Sequence, residues 1–174
     1  MNIDFLLIQR MKRGDENAFD VFVRKHYEEI LKYCSYHCLD TSYAEDLTQE
    51  TFLHFFKKLS DYRYMGKTRN YLYTIAGNLC RDYYKKARES LLEEQSREIQ
   101  NSLQQSETED ILNKIAIEAA LSNLPDELRE VIILYYFQEL KLAEISAALQ
   151  IGLPLVKYRI KQAKMRLEKL LREE

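Results

Sequence analysis

Only four glycines and two prolines interrupt this chain of 174 residues. The backbone therefore has few places to turn, and the fold class that suits it is all-α, built from long helices with short connections. No stretch shows the strict alternation of a half-buried strand, whereas apolar residues recur at three- and four-residue spacing along most of the chain. Phe19, Phe22, Val23, Tyr27 and Ile30 form one such stripe, with Asp15 placed to cap its helix. Leu47, Thr51, Phe52, Phe55 and Leu59 form a second, after a turn around Leu39, Asp40 and Thr41. A tyrosine-rich loop at residues 60–68, containing Gly66, leads to a third stripe through Tyr71, Leu72, Ile75 and Leu79 that ends near Arg88.

Residues 89–110 change character. They carry seven acidic side chains against Arg97 alone and have no aromatics, which predicts a flexible acidic linker unable to bury a core of its own. Two small helical domains are thus expected, residues 1–88 and 111–174. In the second, Ile111, Ile115 and Ala119 share a face, Leu124-Pro125 breaks the helix, and Asp126 and Glu127 open another that continues through Val131, Leu134 and Phe137. The net charge of −2 conceals this unevenness.

The last third ends in a helix-turn-helix pattern. Leu142, Ile145, Ala148 and Leu149 line one short helix, residues 150–152 form a turn, and Pro154 opens a second helix with the stripe Val156, Ile160, Ala163 and Leu167. Residues 157–172 carry seven basic side chains against Glu168, a net +6 suited to a groove between phosphates. Residues 63–88 repeat that balance, seven basic against Asp82, now interleaved with six tyrosines if Tyr62 is included. Rings beside cations fit a single-stranded nucleic acid, which needs stacking and backbone neutralisation together.

Cys34, His37 and Cys38 share a helical face at metal-ligand spacing, but no fourth ligand is close, and an odd number of cysteines without an export signal reads as free buried thiols. No metal and no cofactor are expected. The apolar run from Phe5 to Ile8 is too short for a signal peptide, and no run reaches membrane-spanning length, so membrane insertion is not expected and the cytoplasm is.

Four segments occur in order: Gly14-Asp15-Glu16-Asn17-Ala18-Phe19, Ala44-Glu45-Asp46-Leu47-Thr48-Gln49-Glu50-Thr51-Phe52, Tyr71-Leu72-Tyr73-Thr74-Ile75-Ala76-Gly77-Asn78-Leu79-Cys80-Arg81-Asp82, and Leu124-Pro125 with Arg129-Glu130-Val131. Together they resemble the extracytoplasmic-function (ECF) sigma factors, the small two-domain bacterial relatives of sigma-70. The acidic segment falls where that family has its interdomain linker. The resemblance implies a promoter-specificity subunit rather than an enzyme. Its partners would be bacterial core RNA polymerase, promoter DNA and an anti-sigma factor.

The resemblance also implies roles residue by residue. Asp46, Gln49 and Glu50 would dock on the coiled-coil clamp of the polymerase largest subunit. Tyr64, Lys67, Arg69, Asn70, Tyr71 and Asn78 would read the minus-ten element as single strand, with a base drawn into a loop pocket. Lys157, Tyr158, Lys161 and Gln162 would face bases of the minus-thirty-five duplex, and Arg159 and Lys164 its phosphates. The chain departs from the family pattern at Thr68, where an aromatic is usual, at Tyr71, which replaces a common tryptophan, at Gln150, where the turn usually has glycine, and at Gly152, where a serine or threonine cap is common.

Overall fold

Asp15 begins a long helix of the N-terminal half by accepting a hydrogen bond from the Asn17 amide at 3.1 Å. From this cap α2, Glu16–His37, runs for 22 residues. The computed structural model describes the backbone of residues 2–38, 40–93 and 109–172, and the side chains of these apart from residues 88, 91–93 and 109–115. Before α2 lies α1, Ile3–Lys12, and after it α3, Thr41–Lys57, capped by Asp40, and α4, Thr68–Glu93. The C-terminal half contains α5, Glu109–Ser122, α6, Asp126–Ile132, a π-helical turn at Ile133–Phe137, α7, Leu142–Leu149, and α8, Leu153–Arg172. Among the described residues there is no strand, and no helix is long and apolar enough to cross a membrane.

The N-terminal core is aromatic. Phe22 of α2 is fully buried, stacks on Phe55 of α3 at a centroid distance of 4.9 Å and meets Phe52 edge-on at 6.3 Å. Ring pairs of this geometry add about 0.5–1.5 kcal/mol each beyond the area they bury. The Phe5–Ile8 run proves to be part of α1, which buries Leu7, Ile8 and Met11 and leaves Phe5 and Leu6 exposed. Asp4 ties α1 to α2, lying 2.6 Å from Lys25 and 3.1 Å from His26. Burial pushes its carboxyl up, and the hydrogen bonds from His26 and Lys25 outweigh that and hold it below the usual range.

Several boundaries differ from those the sequence suggests. Helix α4 does not stop at Arg88 but continues to Glu93, and α5 starts at Glu109, so both ends of the expected linker are helical. Leu39 and residues 94–108 lie outside the described residues. The helix expected through Phe137 widens after Ile132 into the π-turn, with the Gln138 amide donating to the Ile133 carbonyl at 3.1 Å. The three cysteines are free and buried, as expected.

The two helical halves are present, but they do not stand apart. Phe137 meets Tyr36 of α2 at 4.1 Å, and one continuous apolar cluster runs from Leu7 to Ala163. Phe22→Ala should lower stability by about 3–5 kcal/mol, because its site is walled by rings that cannot collapse into the void. Denaturant unfolding followed by circular dichroism checks this.

Candidate nucleic-acid interface

The loop between α3 and α4 is held by its neighbours rather than by secondary structure. Lys12 of α1 donates to the Tyr62 carbonyl at 2.6 Å, and Gly66 takes a φ of 97° that a side chain would strain. The Tyr64 hydroxyl donates to the Gly66 carbonyl at 2.8 Å while its ring packs on Phe5. Tyr62 and Tyr71 stack at 5.0 Å. Beside the loop lies a cavity of about 940 Å³ lined by Tyr62, Arg63, Lys67, Asn70, Tyr71 and Thr74 among others. Asn70 is buried, and its Oδ1 has no hydrogen-bond partner. A buried acceptor left unpaired is unfavourable, and because this atom is out of solvent contact a ligand would reach it only after the wall shifts.

Of the six residues expected to read single strand, the structure gathers Lys67, Asn70 and Tyr71 around this cavity and sets Tyr64 in the same loop. Arg69 faces Glu29 of α2 at 3.5 Å instead. Asn78 lies two turns along α4, exposed, and accepts a hydrogen bond from Arg81. Thr68, where an aromatic was noted as usual, is fully buried at the start of α4 and contributes no surface.

In the C-terminal half, α7 and α8 form the expected helix-turn-helix. Gln150 takes the left-handed conformation, φ 55°, that glycine usually supplies, and the turn is closed by Ser146, whose hydroxyl donates to the Ile151 carbonyl at 2.6 Å. Burying Val156, Ile160 and Ala163 turns the opposite side of α8 outward. Lys157, Tyr158, Lys161 and Lys164 are exposed there, Tyr158 at 59%, with Gln162 half-buried beside them. Lys164 lies over the Tyr136 and Tyr135 rings at 5.4 and 5.7 Å, an arrangement that orients its ammonium. Arg159 is the exception: it points to Glu127 of α6 at 3.1 Å.

Asp46, Gln49 and Glu50 are exposed together on α3, where burial of Leu47, Thr48 and Thr51 fixes the opposite face. Leu53 extends the same outer stripe and is 57% exposed. The inward stripe read from the sequence leaves Leu53 out, and no surface role was assigned to it. The signal was its spacing, four residues beyond Gln49 and three beyond Glu50.

Between the two halves lies a seam of buried polar groups. Arg129 donates to the carbonyls of Leu121 at 2.8 Å, Ser122 at 3.1 Å and Leu124 at 2.8 Å, and its guanidinium sits 4.7 Å above the Tyr84 ring of α4. Its neighbour Glu130 is only 3% exposed and lies against α2 and α4. Burial raises the Glu130 carboxyl; Arg81 at 3.7 Å and Arg159 oppose this, and Asp126 adds to it. The Tyr33 hydroxyl is near enough to draw that pKa down, yet without the alignment of a formed hydrogen bond. Elsewhere on the seam Tyr73 donates to Gln138 at 2.8 Å, Thr74 donates to the Ala148 carbonyl at 2.5 Å, and Lys67 pairs with Glu144.

A family model for Sigma-70 region 2 matches residues 22–90, and one for Sigma-70, region 4 matches residues 114–167. The chain belongs to the ECF subfamily of sigma-70 RNA polymerase sigma factors. It is 31% identical to the ECF RNA polymerase sigma factor SigW of Bacillus subtilis over 95% of both chains. It is 27% identical to the RNA polymerase sigma-H factor of Pseudomonas aeruginosa over 97% of this chain and 93% of the relative. Among solved structures, CnrH in complex with the cytosolic domain of CnrY shares the fold at TM-score 0.78 and 22% identity over 99% of both chains. The sigma factor RpoE of Bartonella quintana, co-crystallised with the anti-sigma factor NepR, shares it at TM-score 0.73 and 20% identity over 88% of this chain and 96% of that one. Sigma factors are transcription regulators rather than enzymes, and this one works with core RNA polymerase on promoter DNA.

The seam predicts a pH dependence. A carboxyl raised by burial stabilises the packed state fully below its unfolded pKa, about 4.3, and that contribution is lost as pH rises through the raised value. The groups facing Glu130 are Tyr33 from α2, Cys80 and Arg81 from α4, Arg159 from α8 and Asp126 from α6. Glu130→Gln should remove this loss and leave the protein relatively more stable toward alkaline pH, as measured by melting temperature across the acid-to-neutral range.

Proposed function

We propose that this ECF sigma factor attaches to core polymerase through Asp46, Gln49 and Glu50, reads a melted minus-ten strand in the Tyr62–Tyr71 cavity, and reads a minus-thirty-five duplex with α8. The observation that carries the reading is the pairing of two different DNA-binding chemistries on one chain. One is a ring-walled cavity with the unpaired Asn70 Oδ1, and the other is a rigid basic helix face. Tyr64, Lys67, Arg69, Tyr71 and Asn78 would steer and stack the single strand. Lys157, Tyr158, Lys161 and Gln162 would meet base edges, and Lys164 and Arg159 phosphates, the latter after leaving Glu127. Residues 1–88 and 111–174 would be the two reading units, and the cytoplasm, where polymerase works, the place of action. Control by an anti-sigma factor is part of the proposal, since the RpoE structure of like fold is a complex with one.

The exposed Leu53 supports the polymerase assignment: an apolar side chain within an acidic and amide stripe offers a desolvated centre with a polar rim. Run-off transcription with purified core enzyme on a library of promoter fragments tests the whole reading, and specific transcripts dependent on this chain are expected. Asp46→Lys should abolish co-elution with core polymerase while leaving helix content unchanged.

The two classes of α8 contact separate by salt and sequence. Gln162→Ala should relax preference at one promoter position by about 1–3 kcal/mol, whereas Lys164→Ala should weaken all duplexes alike and lower the salt slope by about one. Fluorescence anisotropy against a duplex series at two ionic strengths measures both.

A further inference from the structure

The first turn of α8 carries a side chain that none of the roles above uses. Leu155 is 39% exposed and lies outside the apolar cluster, while its neighbour Val156 is fully buried within it. A single exposed leucine is ordinary on a protein surface. The position of this one is not: it stands on the opening turn of the second helix of a helix-turn-helix, the part of such a helix that reaches base edges in a major groove.

Its direction is set by the residues that are buried. Because Val156, Ile160 and Ala163 face inward, Leu155 shares the outward side with Tyr158 and Gln162, three and seven positions further on. Lys157 and Lys161 are exposed beside this row, where they can meet the phosphates on either side of a groove. Leu153, 37% exposed, is turned about 200° from Leu155 around the helix axis and does not join the row.

The backbone beneath Leu155 is held in place. Pro154 presets φ in this turn, the amides of Leu155 and Val156 both donate to the Gly152 carbonyl at 3.1 Å, and Ser146 closes the preceding turn on the Ile151 carbonyl. A leucine mounted in this way loses less freedom on contact than the long cations around it.

What this side chain can recognise follows from what it lacks. It has no donor and no acceptor, so the hydrogen-bonding pattern of a base pair is closed to it, and the apolar group that the major groove displays is the 5-methyl of thymine. We propose that Leu155 is a specificity-determining residue of α8, selecting thymine at one position of the minus-thirty-five duplex by apolar contact with its 5-methyl group, within a row whose polar members Tyr158 and Gln162 read neighbouring base pairs. The inference rests on α8 as the duplex-reading helix and adds one base identity to that reading. A polar base edge pressed against Leu155 would lose its water and gain no partner, so the same contact that favours thymine disfavours the alternatives.

The test removes the methyl group from the DNA. Promoter fragments recovered by run-off transcription with core polymerase and the full chain are resynthesised with each thymine of the minus-thirty-five segment, on either strand, replaced singly by deoxyuridine, which keeps every hydrogen-bonding group. Binding of the reconstituted holoenzyme is then measured by competition against the parent fragment. Replacement of at least one thymine should weaken binding about fourfold, the effect of withdrawing one methyl group from water. Leu155→Ala should bind the parent fragment about fourfold more weakly and no longer distinguish thymine from deoxyuridine at that position. Leu153→Ala should keep the full discrimination, and Lys164→Ala should weaken both fragments alike. Circular dichroism establishes that each variant is folded, and the deoxyuridine series with the unaltered chain needs no variant at all. Absence of a methyl-sensitive thymine, or a sensitivity that persists in Leu155→Ala, would overturn the contact and leave α8 as the duplex reader. Absence of promoter-dependent transcripts, or of any base preference in that segment, would remove the reading of α8 and the contact with it.

Discussion

Adjacent buried residues of opposite charge, Arg129 and Glu130, stand at the centre of this structure, and they are treated very differently. Arg129 has its guanidinium donors spread over the carbonyls of Leu121, Ser122 and Leu124, groups that the end of α5 and the Pro125 break leave without helical partners. It therefore fixes the angle between α5 and α6 and, through the Tyr84 ring, the position of both against α4. Glu130 has no such set of donors. Its placement depends on Gly77 leaving room and on Arg81 and Arg159 supplying partial compensation.

That asymmetry organises the surfaces around it. With α6 placed by Arg129, the π-turn carries Phe137 onto Tyr36 and Gln138 onto Tyr73, and α7 then lies along α4 with Ala148 above Thr74. The helix-turn-helix is thereby delivered to the edge of the ring-walled cavity. Lys157, Tyr158 and Lys161 remain exposed on its far side. A duplex could approach α8 in this arrangement more readily than a single strand could enter the cavity, because Ala147 and Gln150 already line the latter.

Much of this was legible beforehand where the determining physics is local. The Asp15 cap, the apolar stripes of α2 and α3 and the break at Pro125 depend on residues within a turn or two, and each was read from them, whereas Gln150 stood out only against the glycine usual at that turn in the resembled family. The outward set of Asp46, Gln49 and Glu50 followed from the inward set of Leu47 and Thr51. Other features had no local signature. The π-turn keeps a helical apolar spacing until the chain has already widened, so it reads as ordinary helix. Arg69 and Arg159 looked like free cations because the carboxylates that engage them lie 40 and 32 positions away. Leu53 went unassigned because periodicity gives the direction of a side chain but not what covers it.

The order of residues alone determined an all-helical chain in two groups, a basic recognition helix, a tyrosine-rich basic loop and an acidic outer face on α3, because caps, breakers and periodicity act over a few positions. Only the tertiary structure decided that the groups share one apolar cluster, that Glu130 is buried in the Gly77 notch, that Lys67 is held by Glu144, and that the cavity carries an unpaired Asn70 acceptor. Those outcomes are set by which distant faces meet. Burial of apolar area drives that meeting without direction, and the few polar groups trapped at the seam then select one arrangement from among those it would allow.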